Sequence, residues 1–184
     1  MGNEVLLALW FFLPAGLANM APIPLARLLG KRWNAPLDGG RRFRGKELFG
    51  ANKTWRGLAI GIIVATAALW LQQLTVHHAV WVANFAGPAH YTTLPTLLLG
   101  PLFGLGALGG DAVESFCKRQ RGTPPGHAWF PFDQVDYVAG SIICTLPVVR
   151  LDLTTYVWAL LLWPLIHLAA AYIGFRTGFK SRPI

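Results

Sequence analysis

The sequence predicts an all-α fold: an integral membrane protein with five transmembrane helices, its N-terminus outside and its C-terminus in the cytoplasm. Three observations carry that reading. Of 184 residues, 54% are hydrophobic and only 13% charged, where a soluble domain carries about a quarter charged. Five apolar runs approach the roughly 20 residues that cross a bilayer. Of sixteen Lys and Arg residues, all but Arg150 fall where a chain crossing five times leaves them on one face, the bias that marks the cytoplasmic side. Cys117 and Cys144 form no spacing pattern of a secreted disulfide scaffold, and the apolar content excludes a disordered chain. Residues 1–184 therefore read as a single membrane domain, multi-pass in the cell membrane, whose few charges each need a reason.

The first run, Val5–Leu29, holds Pro14, Gly16, Asn19, Pro22 and Pro24, so a broken segment is expected rather than one smooth helix. No basic residue precedes it and Glu4 does, which is not the pattern of a signal peptide. The second run is Leu58–Val76, the third Leu94–Phe116, the fourth Val135–Val149 and the fifth Thr155–Phe175. The fourth is short and begins beside Asp133 and Asp136. In the third, Gly100, Gly104, Gly106 and Gly110 allow close helix approach, expected within the chain rather than across a dimer.

Cytoplasmic loops are expected at about 30–57 and 117–134. The first carries Lys31, Arg32, Arg41, Arg42, Arg44, Lys46, Lys53 and Arg56; the second carries Lys118, Arg119 and Arg121; the tail carries Arg176, Lys180 and Arg182. A net charge of +8 in a soluble protein would suggest nucleic acid. Clustered beside apolar runs it fits anionic headgroups, phosphates or topology signals, so no nucleic acid and no protein partner is expected. His77, His78 and His90 in the external segment have no metal-site spacing and read as part of an interfacial loop.

The chemistry concentrates on the cytoplasmic face. If the third helix continues, Asp111, Glu114, Ser115 and Lys118 stand at i, i+3, i+4 and i+7 on one polar stripe. Glu114 and Lys118 form a favourable i, i+4 pair worth some 0.2–0.5 kcal/mol, which suffices as their structural reason. Asp111 needs another partner. Asp133 and Asp136, three apart at the start of the fourth run, supply more carboxylates at the same face. Hard oxygen ligands in that number suit Mg²⁺ shared with substrate phosphates, and no thiolate or histidine set suits zinc.

The other loop reads as an anion site. Gly45, Gly50 and Gly57 let backbone N–H groups approach a ligand, and Asn52, Lys53, Thr54 and Arg56 crowd where the second helix begins, a position that favours anions. The spacing is not that of a Walker A loop. A basic loop that only sets topology accounts for Arg41 and Arg42, not for this crowding. A polyanion cradle and a carboxylate cluster on one face suit a nucleotide presented beside a lipid phosphate.

At these residues the sequence resembles the CDP-archaeol synthase family, relatives of the CDP-diacylglycerol synthases. The carrying segments are Asn19–Pro22, Pro36–Gly40, Gly45–Gly57, Gly110–Arg119 and Phe132–Asp136. Gln134 stands where the larger cytidylyltransferases have Arg, and the Lys-Asp pair that normally precedes their Pro-Gly-His is absent; both departures lie closer to the small archaeol-type branch. The resemblance implies Mg²⁺-dependent transfer of the cytidylyl group of CTP to a membrane lipid phosphate, of archaeol or diacylglycerol type, giving a CDP-lipid and pyrophosphate; the sequence does not choose between the two lipids. It implies Asp111, Asp133 and Asp136 as metal ligands or metal orienters, with Lys118 beside them in the catalytic set. Lys53, Thr54, Arg56, Lys118 and Arg119 would hold phosphates, supported by Asn52, Ser115 and the Gly57 backbone. The alternative is a non-enzymatic membrane transporter or anionic-lipid-binding protein. A phosphatidate-type phosphatase lacks its second His, and a CDP-alcohol phosphotransferase its longer Asp-Gly run.

Overall fold

The structure is a computed structural model that describes residues 2–28, 33–87, 91, 93–124 and 127–178. Lys31, Arg32, His90, the Pro125-Gly126 pair, Lys180 and Arg182, used above, lie outside the described residues.

The first apolar run is broken, as its prolines require. It forms α1 (Gly2–Phe11), α2 (Leu13–Met20) and α3 (Pro22–Leu28). Pro14 has no N–H to give the Trp10 carbonyl. Gln72 from the next long helix donates its Nε2 there instead, at 2.5 Å, so the break is stitched to its neighbour.

That neighbour is α4 (Trp55–His78), followed by short α5 (Val80–Ala86), long α6 (Thr96–Gln120), α7 (Phe132–Thr145) and α8 (Leu153–Arg176). The only strands among the described residues are β1 (Arg42–Phe43) and β2 (Lys46–Glu47), a hairpin in the first inner loop. It is closed by Arg44 and Gly45, at φ 52° and 77°, the left-handed pair that two-residue hairpins need.

Among the described residues, four helical stretches are long and apolar enough to cross a membrane: Gly2–Ala26, α4, α6 and α8. The fourth apolar run differs. It forms α7, a helix of 14 residues about 21 Å long, short of a hydrocarbon core roughly 30 Å thick. Carboxylates at its first turns and Pro147 just past its end confine it.

Helix approach is set by the glycines of α6, which form two edges. A Cβ on Gly100 or Gly104 would come within 2.6 Å of the α4 backbone at Thr66 or Ile62. A Cβ on Gly106 would meet Ser141 Cα of α7 at 2.6 Å, and one on Gly110 would meet the Asp136 carbonyl at 2.2 Å. All four glycines are thus consumed inside the chain, as small-residue packing allows. Phe11, Phe12, Phe103 and Tyr91 fill the centre edge to face, with Phe11 and Phe103 centroids 5.2 Å apart. Ser141 Oγ, fully buried on α7, lies 2.7 Å from the Tyr137 carbonyl and 3.3 Å from that of Phe103 on α6.

Candidate active site

The third helix runs unbroken to Gln120, which puts Asp111, Glu114, Ser115 and Lys118 on one face. Glu114, Ser115 and Lys118 are buried. Because Gly110 lets the Asp136 backbone in, α7 brings its carboxylate to the same place. Asp111, Glu114 and Asp136 each offer an oxygen within 4.8 Å of the others.

The partners are divided unequally. Lys53, at the end of the inner loop, sets its Nζ 2.5 Å from Asp111 Oδ2. Lys118 Nζ stands 2.7 Å from Asp133 Oδ1 and 3.4 Å from Glu114 Oε1. The second oxygen of Asp133 accepts the Trp129 N–H at 2.6 Å. Both oxygens of Asp133 are therefore occupied. The carboxylate trio has Glu114 where the sequence reading had Asp133. The i, i+4 spacing made Glu114 look satisfied by Lys118, but the ammonium sits closer to Asp133. The signal was present in Asp111-x-x-Glu114, two carboxylates one helical turn apart.

The trio fits a divalent cation on its own chemistry. Three carboxylates converge where like charges would otherwise repel. Glu114 is buried beside the Asp133 carboxyl, and its Oε1 has no hydrogen bond, with the Lys118 ammonium at 3.4 Å. An oxygen-only donor set of this kind suits Mg²⁺.

The remaining residues take separate places. Thr54 caps α4 by accepting the Gly57 N–H at 3.1 Å, a role worth about 1 kcal/mol. Arg56 is buried and donates to Asn34 Oδ1 at 3.1 Å. Asn52 is exposed in the turn before Lys53. Arg119 donates to the Pro124 carbonyl at 3.4 Å, and its Nε is buried without a hydrogen bond. So Lys53, Asp111, Glu114, Asp136, Lys118 and Asp133 form one contiguous group, while Thr54, Gly57 and Arg56 build the loop that carries Lys53.

That loop is fastened at both ends. Residues 35–37 run beside 53–55, with Leu37 N–H to Lys53 O at 2.7 Å and Trp55 N–H to Ala35 O at 3.1 Å. The hairpin docks on the end of α6: Lys46 Nζ donates to Gln120 O at 2.6 Å, and Phe43 packs on Phe116 with centroids 6.0 Å apart. Two-residue strands carry no alternation to read, so the hairpin was not expected from the sequence; its signal was the Arg44-Gly45 turn.

Comparisons with known proteins bear on the family and the fold. The family model of CarS-like CDP-archaeol synthases matches residues 1–184. The CDP-archaeol synthase of Methanosphaerula palustris is 42% identical over 181 residues, covering 93% of this chain and 99% of the relative. That of Thermococcus onnurineus is 36% identical, covering 98% of both. A solved structure, described as an intramembrane enzyme for archaeal membrane lipids biosynthesis, superposes with a TM-score of 0.68 at 28% identity, covering 90% of this chain and 93% of that one. A family match over the full length and this level of identity have one meaning: the chain belongs to the CarS-like CDP-archaeol synthase family.

Proposed function

We propose that this protein transfers the cytidylyl group of CTP to the phosphate of an archaeol-type membrane lipid, releasing pyrophosphate, at the cytoplasmic face of the cell membrane. The observation that carries the reading is the group of Asp111, Glu114 and Asp136 within 4.8 Å of one another, with lysines from two directions at its edge. An oxygen of the lipid phosphate forms the bond to the α-phosphorus of CTP. The bond from that phosphorus to the bridging oxygen breaks, and the electron pair leaves with pyrophosphate. Such a reaction needs its anions positioned and their charge neutralised more than it needs covalent help.

Asp111, Glu114 and Asp136 would hold Mg²⁺, which supplies charge neutralisation and orientation of phosphate oxygens. Lys53 would offer its positive charge to one phosphate, since its partner Asp111 is also a member of the trio. Lys118 holds its charge in place between Glu114 and Asp133, so Asp133 acts by fixing Lys118. Arg119, with its buried Nε, is the further candidate for phosphate, and Ser115 and Asn52 for supporting hydrogen bonds. The charge bias along the sequence favours the N-terminus outside, and α7 with the turn after it would make the fifth crossing.

The test is incubation of the purified protein in detergent with labelled CTP, Mg²⁺ and a panel of ether-isoprenoid and diacyl lipid phosphates. CDP-lipid is expected with the ether-isoprenoid phosphate preferred. No CDP-lipid from any substrate, or full function after Asp111→Asn, would instead favour a non-enzymatic lipid-binding protein.

A further inference from the structure

Asp38 is a buried carboxylate, 8% exposed, with no ion pair among the described residues. It lies outside the site, and its partners are all backbone. Oδ1 accepts the Gly40 N–H at 2.8 Å; Oδ2 accepts those of Phe49 at 3.0 Å and Gly50 at 3.3 Å. Burial raises the affinity of such a carboxyl for its proton. The N–H donors outweigh burial and hold it below its ordinary value, so it stays an anion.

Those bonds have a direction. Gly50 sits at φ +90°, and its carbonyl accepts the Lys53 N–H at 3.3 Å. From Asp38 to Lys53 there are thus only two hydrogen bonds, through one left-handed glycine. Leu37, the neighbour of Asp38, holds the Lys53 carbonyl. Lys53 is gripped on both sides by the segment that Asp38 closes, and its ammonium is the one that reaches Asp111.

We propose that Asp38 is a positioning residue: through the backbone of residues 49–53 it fixes where Lys53 stands against Asp111. Its consequence for phosphate binding rests on the function proposed above; the placement of Lys53 does not. Asp38→Asn keeps the shape but points an amide NH₂ at one of the N–H donors, so at least one of the bonds is replaced by repulsion.

The experiment is reductive methylation of the full-length protein in detergent, with formaldehyde and cyanoborohydride, read lysine by lysine by mass spectrometry. In the parent protein Lys53 is held by Asp111 and is expected to methylate slowly. In Asp38→Asn its rate is expected to rise roughly tenfold, the scale set by losing one hydrogen bond to a charged group. Lys118, held on α6 and α7, should stay within about twofold. Gly50→Ala tests the same turn from its other end, because Ala is strained at φ +90° and its Cβ would lie 3.2 Å from Glu47 Oε2; the same selective rise is expected. An unchanged Lys53 in folded variants overturns the proposal. So does a joint rise of Lys53 and Lys118, which is general loosening, or failure of both variants to fold, which makes Asp38 an anchor of the fold alone. If Asp38→Asn alone fails to fold, Gly50→Ala decides. A parent protein that makes no CDP-lipid but releases Lys53 in Asp38→Asn refutes the transferase reading and leaves this one standing; an active parent with Lys53 unmoved does the reverse.

Discussion

Two lysines meet neighbouring carboxylates of one group in different ways. Lys53 arrives on a loop, meets one oxygen of Asp111, and both side chains keep about a quarter of their surface open, 22% and 24%. Lys118 rises from within α6 between Glu114 and Asp133, at 10%, 5% and 20%, and Asp133 is tied in turn to the Trp129 N–H. The first pair is partly wet and can be exchanged for a ligand. In the second, Lys118 and Glu114 are buried and the ammonium meets two carboxylates, so its charge is a fixture. A site that takes a polyanion needs both: one cation that can change partners and one that stays where the charge will develop.

The comparison can be broken hardest at Asp111, which pairs with Lys53 and belongs to the carboxylate trio. Asp111→Asn is expected to cut CDP-lipid formation by about a thousandfold or more, and chelation of divalent cations to abolish it until Mg²⁺ is returned; turnover with labelled CTP reads both. Gly110→Ala comes next. Its Cβ would sit 2.2 Å from the Asp136 carbonyl, so α7 must shift, and a displacement near 1 Å costs about a hundredfold in rate.

Lys118→Met and Lys53→Met then separate the two lysines. The first strands Glu114 and Asp133 and should destabilise by about 3 kcal/mol, seen as a lower unfolding midpoint in detergent. The second should cost under about 1 kcal/mol while still lowering turnover. Equal stability losses would erase the distinction.

The smallest effect concerns acid. Asp38 has its pKa lowered in the folded protein, so its stabilising contribution is complete above the ordinary carboxylate value near 3.8 and fades as pH falls toward the folded value. The stability gap between the parent and Asp38→Asn should therefore be constant at neutral pH and close only below about pH 4.

Several of these features were legible in the sequence. Pro14 and Pro22 announced the broken first segment, because a residue without an N–H cannot continue a helix ladder. The i, i+3, i+4 and i+7 spacing from Asp111 to Lys118 carried α6 into its charged stripe, and the spaced glycines marked its packing edges. The spacing Asp111-x-x-Glu114 was legible, but which carboxylate Lys118 faces more closely was not. Spacing along one helix shows which groups share a face, but whether Lys118 turns to its own helix or across to α7 is decided by packing. The buried role of Asp38 was hidden for the same reason: Asp-Gly-Gly reads as a turn, and its bonds to Phe49 and Gly50 span 11 and 12 residues. α7 was the most ambiguous element, since 14 residues satisfy a buried helix as readily as part of a span.

The shortness of α7 has a bearing on traffic. On the proposed function, its polar first turn would interrupt the oily slab from one side, so that a lipid phosphate would reach the acidic trio sideways while its tails remain among their neighbours. Lifting a long chain into water would cost about 0.8 kcal/mol for every methylene, tens of kcal/mol for a two-tailed lipid. An enzyme notched at the leaflet would avoid that climb, and its product would be released already lying in the sheet.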